Sequence, residues 1–249
     1  MRTIGIIPVR YQSTRFPGKP LIDIAGKTMV QRVYEQASKA TALSDIVVAT
    51  DDQRIFDEVE SFGGKVVMTA STHQSGTDRC AEVAMHHQDI AAIINIQGDE
   101  PFLDPSQVDL VAHLLQIQEV KIATLVRKIE RTADLINPNH VKVVLQEDKK
   151  ALYFSRSPIP YYRSISQEEW IKQHTYFHHI GIYGFKRTTL LEIAELSRSP
   201  LEKAELLEQL RWMEHGFPIH VAHTDKPSFG IDTPEDWEKA KLMAEKLVL

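Results

Sequence analysis

The sequence predicts a single α/β domain over residues 1–249, with a mainly parallel β-sheet flanked by helices. Two observations carry this prediction. Short β-branched segments alternate with amphipathic segments, as in successive βαβ units, and no obvious linker divides the chain. Strands are predicted at residues 4–9, 46–50, 66–68, 93–96, 122–126 and 219–223.

Helices are predicted where apolar residues recur at helical spacing, because each such set gives a helix one buried face. The last helix has clear start signals: Thr233 supplies a capping hydroxyl, Pro234 occupies the first turn, and two acidic residues follow. The three apolar sets are Met29, Val30, Val33 and Ala37; Leu206, Leu207, Leu210 and Met213; and Trp237, Ala240, Ala244 and Leu247.

The segment from about residue 137 to 175 departs from this alternation. It carries Asn-Pro-Asn and Ser-Pro-Ile-Pro-Tyr-Tyr, scattered charges and an irregular hydrophobic period. We therefore expect strands and loops that are inserted into the sheet domain.

The composition argues against several classes of protein. Lys and Arg number 29 and Asp and Glu 34, a formal charge of −5 that disfavours general nucleic-acid binding, since the phosphate backbone selects a basic surface. The longest apolar runs fall far short of the ~20 residues that cross a bilayer, and we expect neither a membrane span nor a signal peptide. The single cysteine, Cys80, cannot form an internal disulfide, which fits a reducing cytoplasm.

The loop after the first predicted strand indicates an anion site. It contains the cations Arg10, Arg15 and Lys19, two hydroxyls and a glycine, but no carboxylate. Ligands of open α/β sheets bind at the carboxyl ends of the strands, and cations among free backbone N–H groups suit a polyphosphate. A solvated basic loop is the alternative.

Two acids that are far apart in the chain are candidate metal ligands. Asp99 leaves a buried strand through a glycine turn, and Asp232 immediately precedes the capped helix. If the fold brings them to ~4 Å, their repulsion is about 4 kcal/mol at an effective dielectric constant of 20, so the pair needs a cation. Oxygen ligands favour Mg2+. For each acid alone, a role in its turn is the alternative.

Residues 73–79 place small residues and hydrogen-bond donors before a predicted helix. This pattern suits recognition of a base or ribose by backbone groups. Simple capping of the helix by Thr77 or Asp78 is the alternative.

Other chemistry-bearing motifs are absent. Leu21 stands where a P-loop requires its first glycine, and no Gly-x-Gly-x-x-Gly follows the first strand. The histidine pairs at 86–87 and 178–179 lack the spacing and partners of a zinc site. Cys80 is interpreted as a small core residue rather than a nucleophile.

Taken together, these segments resemble the 3-deoxy-manno-octulosonate cytidylyltransferases, also called CMP-Kdo synthetases. The opening loop alone is shared with many nucleotidyltransferases, whereas HQSGTDR, SRSPIPY and LEQLR in this order are much more specific. The matching segments are residues 10–21 (RYQSTRFPGKPL), 49–52 (ATDD), 73–79 (HQSGTDR), 95–101 (NIQGDEP), 153–161 (YFSRSPIPY), 179–185 (HIGIYGF), 207–211 (LEQLR) and 230–236 (GIDTPED).

The resemblance implies a nucleotide-diphospho-sugar transferase (Rossmann-like) fold and a cytoplasmic homodimer, with an inserted sugar-binding and dimerisation region at roughly 137–185. The implied reaction converts CTP and Kdo to CMP-Kdo and pyrophosphate for lipopolysaccharide synthesis. It proceeds by Mg2+-assisted in-line attack of the anomeric hydroxyl on the α-phosphate. No enzyme nucleophile is expected, because such transfer depends on positioning and charge stabilisation.

The resemblance also implies residue roles. The catalytic residues would be Arg10, Lys19, Asp99 and Asp232, with Asp99 and Asp232 holding one or two Mg2+ ions. The nucleotide-binding residues would be Arg10, Ser13, Arg15, Lys19, Ser75, Gly76, Arg79 and Gln97. The sugar-binding residues would be Arg156, His179, Tyr183, Glu208 and Gln209.

Two alternatives stay open at this point. The substrate could be another acidic sugar, such as 8-amino Kdo or sialic acid, because the phosphate and metal motifs do not separate these sugars. The chain could also be a non-catalytic nucleotide-sugar sensor, although a sensor has no need for a complete pair of metal-binding acids.

Overall fold

The computed structural model describes residues 1–12 and 16–248, with the backbone alone at 247 and 248. The strands are β1 (Thr3–Val9), β2 (Asp45–Thr50), β3 (Val66–Met68), β4 (Ala92–Asn95), β5 (Ile122–Lys128), β6 (Lys142–Leu145), β7 (Ala151–Ser155), β8 (Phe177–Lys186) and β9 (Ile219–His223). The helices are α1 (Met29–Ala37), α2 (Gln53–Ser61), α3 (Gly76–Met85), α4 (Pro105–Leu114), α5 (Thr132–Ile136), α6 (Trp170–Gln173), α7 (Arg187–Ala194), α8 (Pro200–Glu205), α9 (Gln209–Glu214) and α10 (Pro234–Val248).

The predicted α/β class is confirmed, and each of the six predicted strands is present within a few residues of its expected bounds. The central sheet has the order β3-β2-β1-β4-β8-β5-β9. Parallel pairing joins β1 to β2 and β4, β2 to β3, and β5 to β9. None of the described helices is both long and apolar enough to span a membrane.

Strand β8 runs against the direction of its neighbours. It pairs antiparallel with both β4 and β5, and its first residues also pair with β6 of the β6–β7 hairpin. Because β8 reverses the direction twice across the sheet, β1, β4 and β5 all end at the same edge. The region at 137–185 therefore contains both the hairpin and most of a strand of the central sheet.

Apolar residues cover both faces of the sheet. On one face the side chains of β1 and β4 pack with α3 and α7, and on the other they pack with α1 and α4. Strand β4 is buried along its whole length, so the loop that follows it is anchored by the core. The loops at the carboxyl edge of the sheet therefore begin at the ends of rigid, buried strands.

The single helix predicted around Leu206 is wrong. Leu206 has a left-handed φ of 53° and is 68% exposed, and it separates α8 from α9. Arg156 stabilises this break, because its guanidinium donates to the carbonyl oxygens of Glu205 (2.7 Å) and Leu206 (3.4 Å). Helix α8 begins earlier than predicted, at a capping box formed by Ser199 and Glu202.

Candidate active site

Lys19 projects from the loop after β1, and the local backbone explains its position. Gly18 has a left-handed φ of 74°, and a Cβ at Gly18 would lie 3.0 Å from the Tyr11 hydroxyl. A glycine is therefore needed where the chain turns into the short 3-10 helix Lys19–Leu21. Ser13 and Arg15, two predicted nucleotide ligands of this loop, lie outside the described residues.

Asp99 and Asp232 converge on the ammonium group of Lys19. Lys19 Nζ lies 2.8 Å from Asp99 Oδ2 and 3.2 Å from Asp232 Oδ1, and it donates to the Ile231 carbonyl oxygen at 2.9 Å. The two carboxylate oxygens are thus at most about 6 Å apart, the sum of their distances to Nζ. The Ile231 amide donates to the Asp99 carbonyl oxygen at 2.9 Å, so the backbone also holds the two segments together.

This arrangement fits a divalent cation that is bound partly by substrate. The side chains of Asp99 and Asp232 are 31% and 45% exposed, and both already face one positive charge. Two carboxylates supply part of the oxygen shell that Mg2+ prefers, and Mg2+ usually keeps waters or substrate phosphates as its other ligands. Across residues 1–12 and 16–248, no group of three or more His, Cys, Asp or Glu suits a metal.

A cavity of about 290 Å3 opens beside these charged groups, and Arg10 and Gln97 also line it. Two glycines let neighbouring loops approach the end of β1. A Cβ on Gly76 would lie 3.0 Å from Pro8 Cγ, and one on Gly98 would lie 3.1 Å from the Pro8 carbonyl oxygen. The cavity thus combines closely packed glycine backbone with long polar side chains, a combination that suits a phosphate-bearing ligand.

The first turn of α3 forms one wall of this cavity. Ser75 is the N-cap: its hydroxyl accepts from the Asp78 amide (3.1 Å), and the Asp78 carboxylate accepts from the Ser75 amide (3.0 Å). The capping alternative for this segment is thus realised by Ser75 with Asp78, and the groups of Ser75 are engaged within the protein. Gly76 presents its backbone to the cavity.

Two further predicted nucleotide ligands make internal contacts. The guanidinium of the buried Arg79 donates to the Thr69 hydroxyl and lies 3.3 Å from Asp51, while Arg79 also lines two smaller cavities around Arg10. Gln97 Nε2 donates to the Gly181 carbonyl oxygen at 2.9 Å. Both side chains are therefore fixed in orientation at the wall of the cleft.

Three of the predicted sugar-binding residues lie together. The rings of His179 and Tyr183 are 5.2 Å apart, and His179 Nε2 lies 3.0 Å from the Thr124 hydroxyl. Glu208 accepts a hydrogen bond of 2.7 Å from the Thr77 hydroxyl. Burial raises the pKa of Glu208, and hydrogen bonds from Thr77 and Ser75 act in the opposite direction.

The turn that carries Glu208 and Gln209 is braced by a buried ion pair. Arg211 donates to the two carboxylate oxygens of Glu202 at 2.8 and 2.7 Å, and to the Leu196 carbonyl oxygen at 3.1 Å. Both charged side chains are less than a tenth exposed. The pair fastens α9 to α8, so the turn between these helices has a fixed position relative to the site.

Several residues that hold this site together carry no recognisable sequence signal. The sequence predicts Thr77 only as a possible helix cap, and it does not predict a role for Thr124 or Glu202. The guanidinium of Arg156 donates hydrogen bonds to the carbonyl oxygens of Pro138, Glu205 and Leu206. The SRSPIPY motif marks Arg156 as a residue of interest. Its hydrogen bonds to Pro138, Glu205 and Leu206 join residues that are far apart in the sequence, and such contacts leave no periodic pattern.

The buried His179 and the half-buried His178 predict a pH dependence of stability. Burial lowers the pKa of His179 to about 3 and that of His178 to about 4. Because the unfolded chain binds these protons more readily, stability from this source is complete above about pH 6.5 and declines as the pH falls towards these values. We expect His179→Gln to flatten the decline in melting temperature below pH 6.5, by an amount equivalent to about 1.4 kcal/mol per pH unit.

Thermal melts between pH 4.5 and 7.5 check this expectation. His87→Gln, at an exposed position, is the matched control and should retain the wild-type slope. A wild-type slope in His179→Gln would show that the His179 ring does not lose its proton on folding.

Comparison with known proteins places these features in a family context. A family model described as cytidylyltransferase matches residues 4–222. The 3-deoxy-manno-octulosonate cytidylyltransferase of Parabacteroides distasonis is 51% identical over 248 residues, covering 96% of this chain and 97% of the relative. The enzyme of that name from Geobacter metallireducens is 46% identical over 253 residues, covering 99% and 98%.

Solved structures agree with these sequence matches. CMP:2-keto-3-deoxy-manno-octonic acid synthetase complexed with CTP has a TM-score of 0.91 and 42% identity, covering 99% of this chain and all of that one. The 4-diphosphocytidyl-2C-methyl-D-erythritol synthase of Anaerococcus prevotii has a TM-score of 0.63 and 13% identity, covering 98% and 96%. The second match shows that the two chains share a fold.

Proposed function

Because this chain belongs to the 3-deoxy-manno-octulosonate cytidylyltransferase family, we propose that it joins CTP and Kdo to form CMP-Kdo and pyrophosphate. The observation that carries the proposal is the convergence of Asp99 and Asp232 on one positive charge beside the cleft. The identity of about half the residues along nearly the whole chain supports Kdo as the sugar.

The reaction is an in-line substitution at the α-phosphorus of CTP. The anomeric oxygen of the sugar forms a bond to phosphorus as the bond between phosphorus and the bridging oxygen of pyrophosphate breaks. The hydroxyl proton passes to solvent, and pyrophosphate leaves with the electron pair of the broken P–O bond. The protein's part is to align the two substrates and stabilise the negative charge that develops.

Arg10 and Lys19 supply the positive charge for the triphosphate. Arg10 is exposed at the end of β1, and Lys19 lines the same cavity beside the two acids. Arg15 and Ser13 belong to the same loop and complete the proposed set of phosphate ligands. The turn at Gly76, with Arg79 behind it, would border the base and ribose.

Asp99 and Asp232 would hold Mg2+. The ion would act as a Lewis acid towards the phosphate oxygens and would lower the pKa of the attacking hydroxyl. Their shared contact with an ammonium group supports this assignment, because the two acids are already arranged around one cation. The carboxylate of Kdo is suited to complete the oxygen shell.

The sugar would lie against the cluster of His179, Tyr183 and Glu208, with Arg156 and Gln209 bordering it. His179 is neutral at pH 7, because burial lowers its pKa to about 3, so its ring can exchange hydrogen bonds with hydroxyls without carrying charge. Glu208 is an acceptor for sugar hydroxyls. Small-molecule sites commonly combine aromatic side chains with a few polar groups that fix the ligand's orientation.

The proposal includes a cytoplasmic homodimer that serves lipopolysaccharide synthesis. Among the described strands, β7 pairs with β6 alone, and its Leu152 is half exposed. Within that part of the chain, the hairpin offers a strand edge and an apolar side chain for a subunit contact. The sole cysteine, Cys80, is buried and unpaired, which fits a reducing compartment.

The assay that tests the function follows pyrophosphate release from CTP with Kdo, 8-amino Kdo and sialic acid in turn, with and without Mg2+. We expect Mg2+-dependent release with Kdo at the highest kcat/KM. A higher kcat/KM for either other sugar would replace Kdo as the substrate. Binding of CTP without release from any sugar would favour the nucleotide-sugar sensor.

A further inference from the structure

The buried carboxylate of Glu208 is held by the helix turn that borders the nucleotide cleft. Its Oε2 accepts the Thr77 hydroxyl at 2.7 Å, and the Ser75 hydroxyl is a second partner. Thr77 and Ser75 flank Gly76, whose backbone lines the cavity beside Asp99 and Asp232. One turn of α3 therefore contacts both regions that the reaction must align.

The Thr77 hydroxyl has no role in starting α3. The helix is capped by Ser75, and the N-terminal box is completed by Asp78. Thr77 is 3% exposed, and the hydrogen bond that its hydroxyl donates reaches a residue 131 positions away. Its polar atom is thus directed to the junction between α3 and α9.

We propose that Thr77 is a positioning residue that orients the Glu208 carboxylate for the sugar and ties the sugar site to the nucleotide-binding turn. This inference rests on the proposed function and assigns a task to a residue of the HQSGTDR segment. A threonine suits the task, because its hydroxyl can donate to only one acceptor and its methyl group restricts the rotamer. The carboxylate is thereby held in one orientation at the junction of α3 and α9.

The charges around Glu208 explain why this hydrogen bond matters. Burial and Asp78 raise the pKa of Glu208, whereas Arg211 and the hydroxyls of Thr77 and Ser75 lower it. Cys80 on α3 and Tyr183 on β8 are two further titratable neighbours; both are buried and have raised pKa values, so they are neutral. The adjacent His179 is also neutral, because burial lowers its pKa to about 3. Removal of the Thr77 hydroxyl therefore shifts Glu208 towards protonation.

The test compares Thr77→Val with Thr77→Ser in pyrophosphate release. Valine keeps the shape but removes the donor, so we expect the KM for Kdo to rise roughly ten- to a hundredfold while the KM for CTP changes less than about twofold. The acidic limb of the pH profile should move to higher pH in Thr77→Val. Thr77→Ser retains the hydroxyl, so its KM for Kdo and the acidic limb of its pH profile should stay near the wild-type values.

Thr189→Val is the matched control. Thr189 is a buried threonine in α7, at the opposite edge of the sheet from the cleft. The Thr189→Val substitution should leave the KM for Kdo, the KM for CTP and the pH profile unchanged. Equal increases in the KM for Kdo and the KM for CTP in Thr77→Val would overturn the positioning role. A Thr77→Ser protein whose KM for Kdo rises as much as that of Thr77→Val would also overturn it.

A measurement without turnover separates this inference from the proposed function. The carboxyl 13C resonance of Glu208 in the substrate-free protein reports its titration. We expect a higher pKa for Glu208 in Thr77→Val and a value near wild type in Thr77→Ser. An unchanged titration in Thr77→Val would overturn the role of Thr77, whereas absence of turnover in the wild-type protein would overturn the proposed function alone.

Discussion

Replacing Asp99 by asparagine is expected to reduce Mg2+-dependent pyrophosphate release by roughly a thousandfold or more. The amide has nearly the shape of the carboxylate but carries no charge, so the proposed ion loses one of its two protein ligands. Lys19 keeps its contacts with Asp232 and the Ile231 carbonyl oxygen. The fold should therefore survive the change.

Kinetics as a function of Mg2+ concentration, together with a thermal melt, check this prediction. Glu238→Gln is the matched control, because Glu238 is an exposed acid of α10 that pairs only with Lys241 among the described contacts. We expect the control to keep wild-type turnover. A folded Asp99→Asn protein with near-normal turnover would remove Asp99 from the proposed catalytic group.

The sheet was predictable because its strands carry strong local signals. A strand that is buried on both faces, such as β4, is expected to be apolar on both faces, and the three isoleucines among residues 93–96 indicate this directly from the sequence. The start of α10 was equally clear, since Thr233 accepts from the Asp236 amide at 3.3 Å as its sequence position predicts. Local chemistry determines these elements.

The direction of β8 and the break at Leu206 depend on contacts that are distant in sequence. Nothing in the hydrophobic period of β8 distinguishes an antiparallel neighbour from a parallel one. At Leu206, helical spacing of the leucines continues across a turn that is held by Arg156 and by the ion pair of Glu202 with Arg211. Tertiary contacts override the periodic pattern there.

The same distinction applies to the candidate site. That loops after β1 and β4 share an edge follows from parallel pairing, so a meeting of Lys19 with Asp99 could be expected. The sequence does not predict the contact of Thr77 with Glu208 or the burial of Arg79. Both depend on how α3 packs against α9 and β2. Family motifs identify such residues without stating what each one touches.

Removing the Lys19 charge is expected to affect both stability and nucleotide use. In Lys19→Met, Asp99 and Asp232 keep their positions without the shared ammonium group. At the maximum separation of about 6 Å and an effective dielectric constant of 20, their repulsion is about 3 kcal/mol before solvent screening, which reduces it since both side chains are partly exposed. The variant should also use CTP at least roughly a hundredfold less efficiently, through a lost phosphate contact.

Because the repulsion needs a cation, Mg2+ should raise the melting temperature of Lys19→Met more than that of the wild-type protein. Melts with and without Mg2+, and kcat/KM for CTP at saturating Kdo, measure the two effects separately. Lys172→Met, at an exposed position that pairs with Glu169, should change neither. An unaltered kcat/KM for CTP would exclude the phosphate contact, and equal Mg2+ stabilisation of variant and wild type would show that the two acids do not share a cation site.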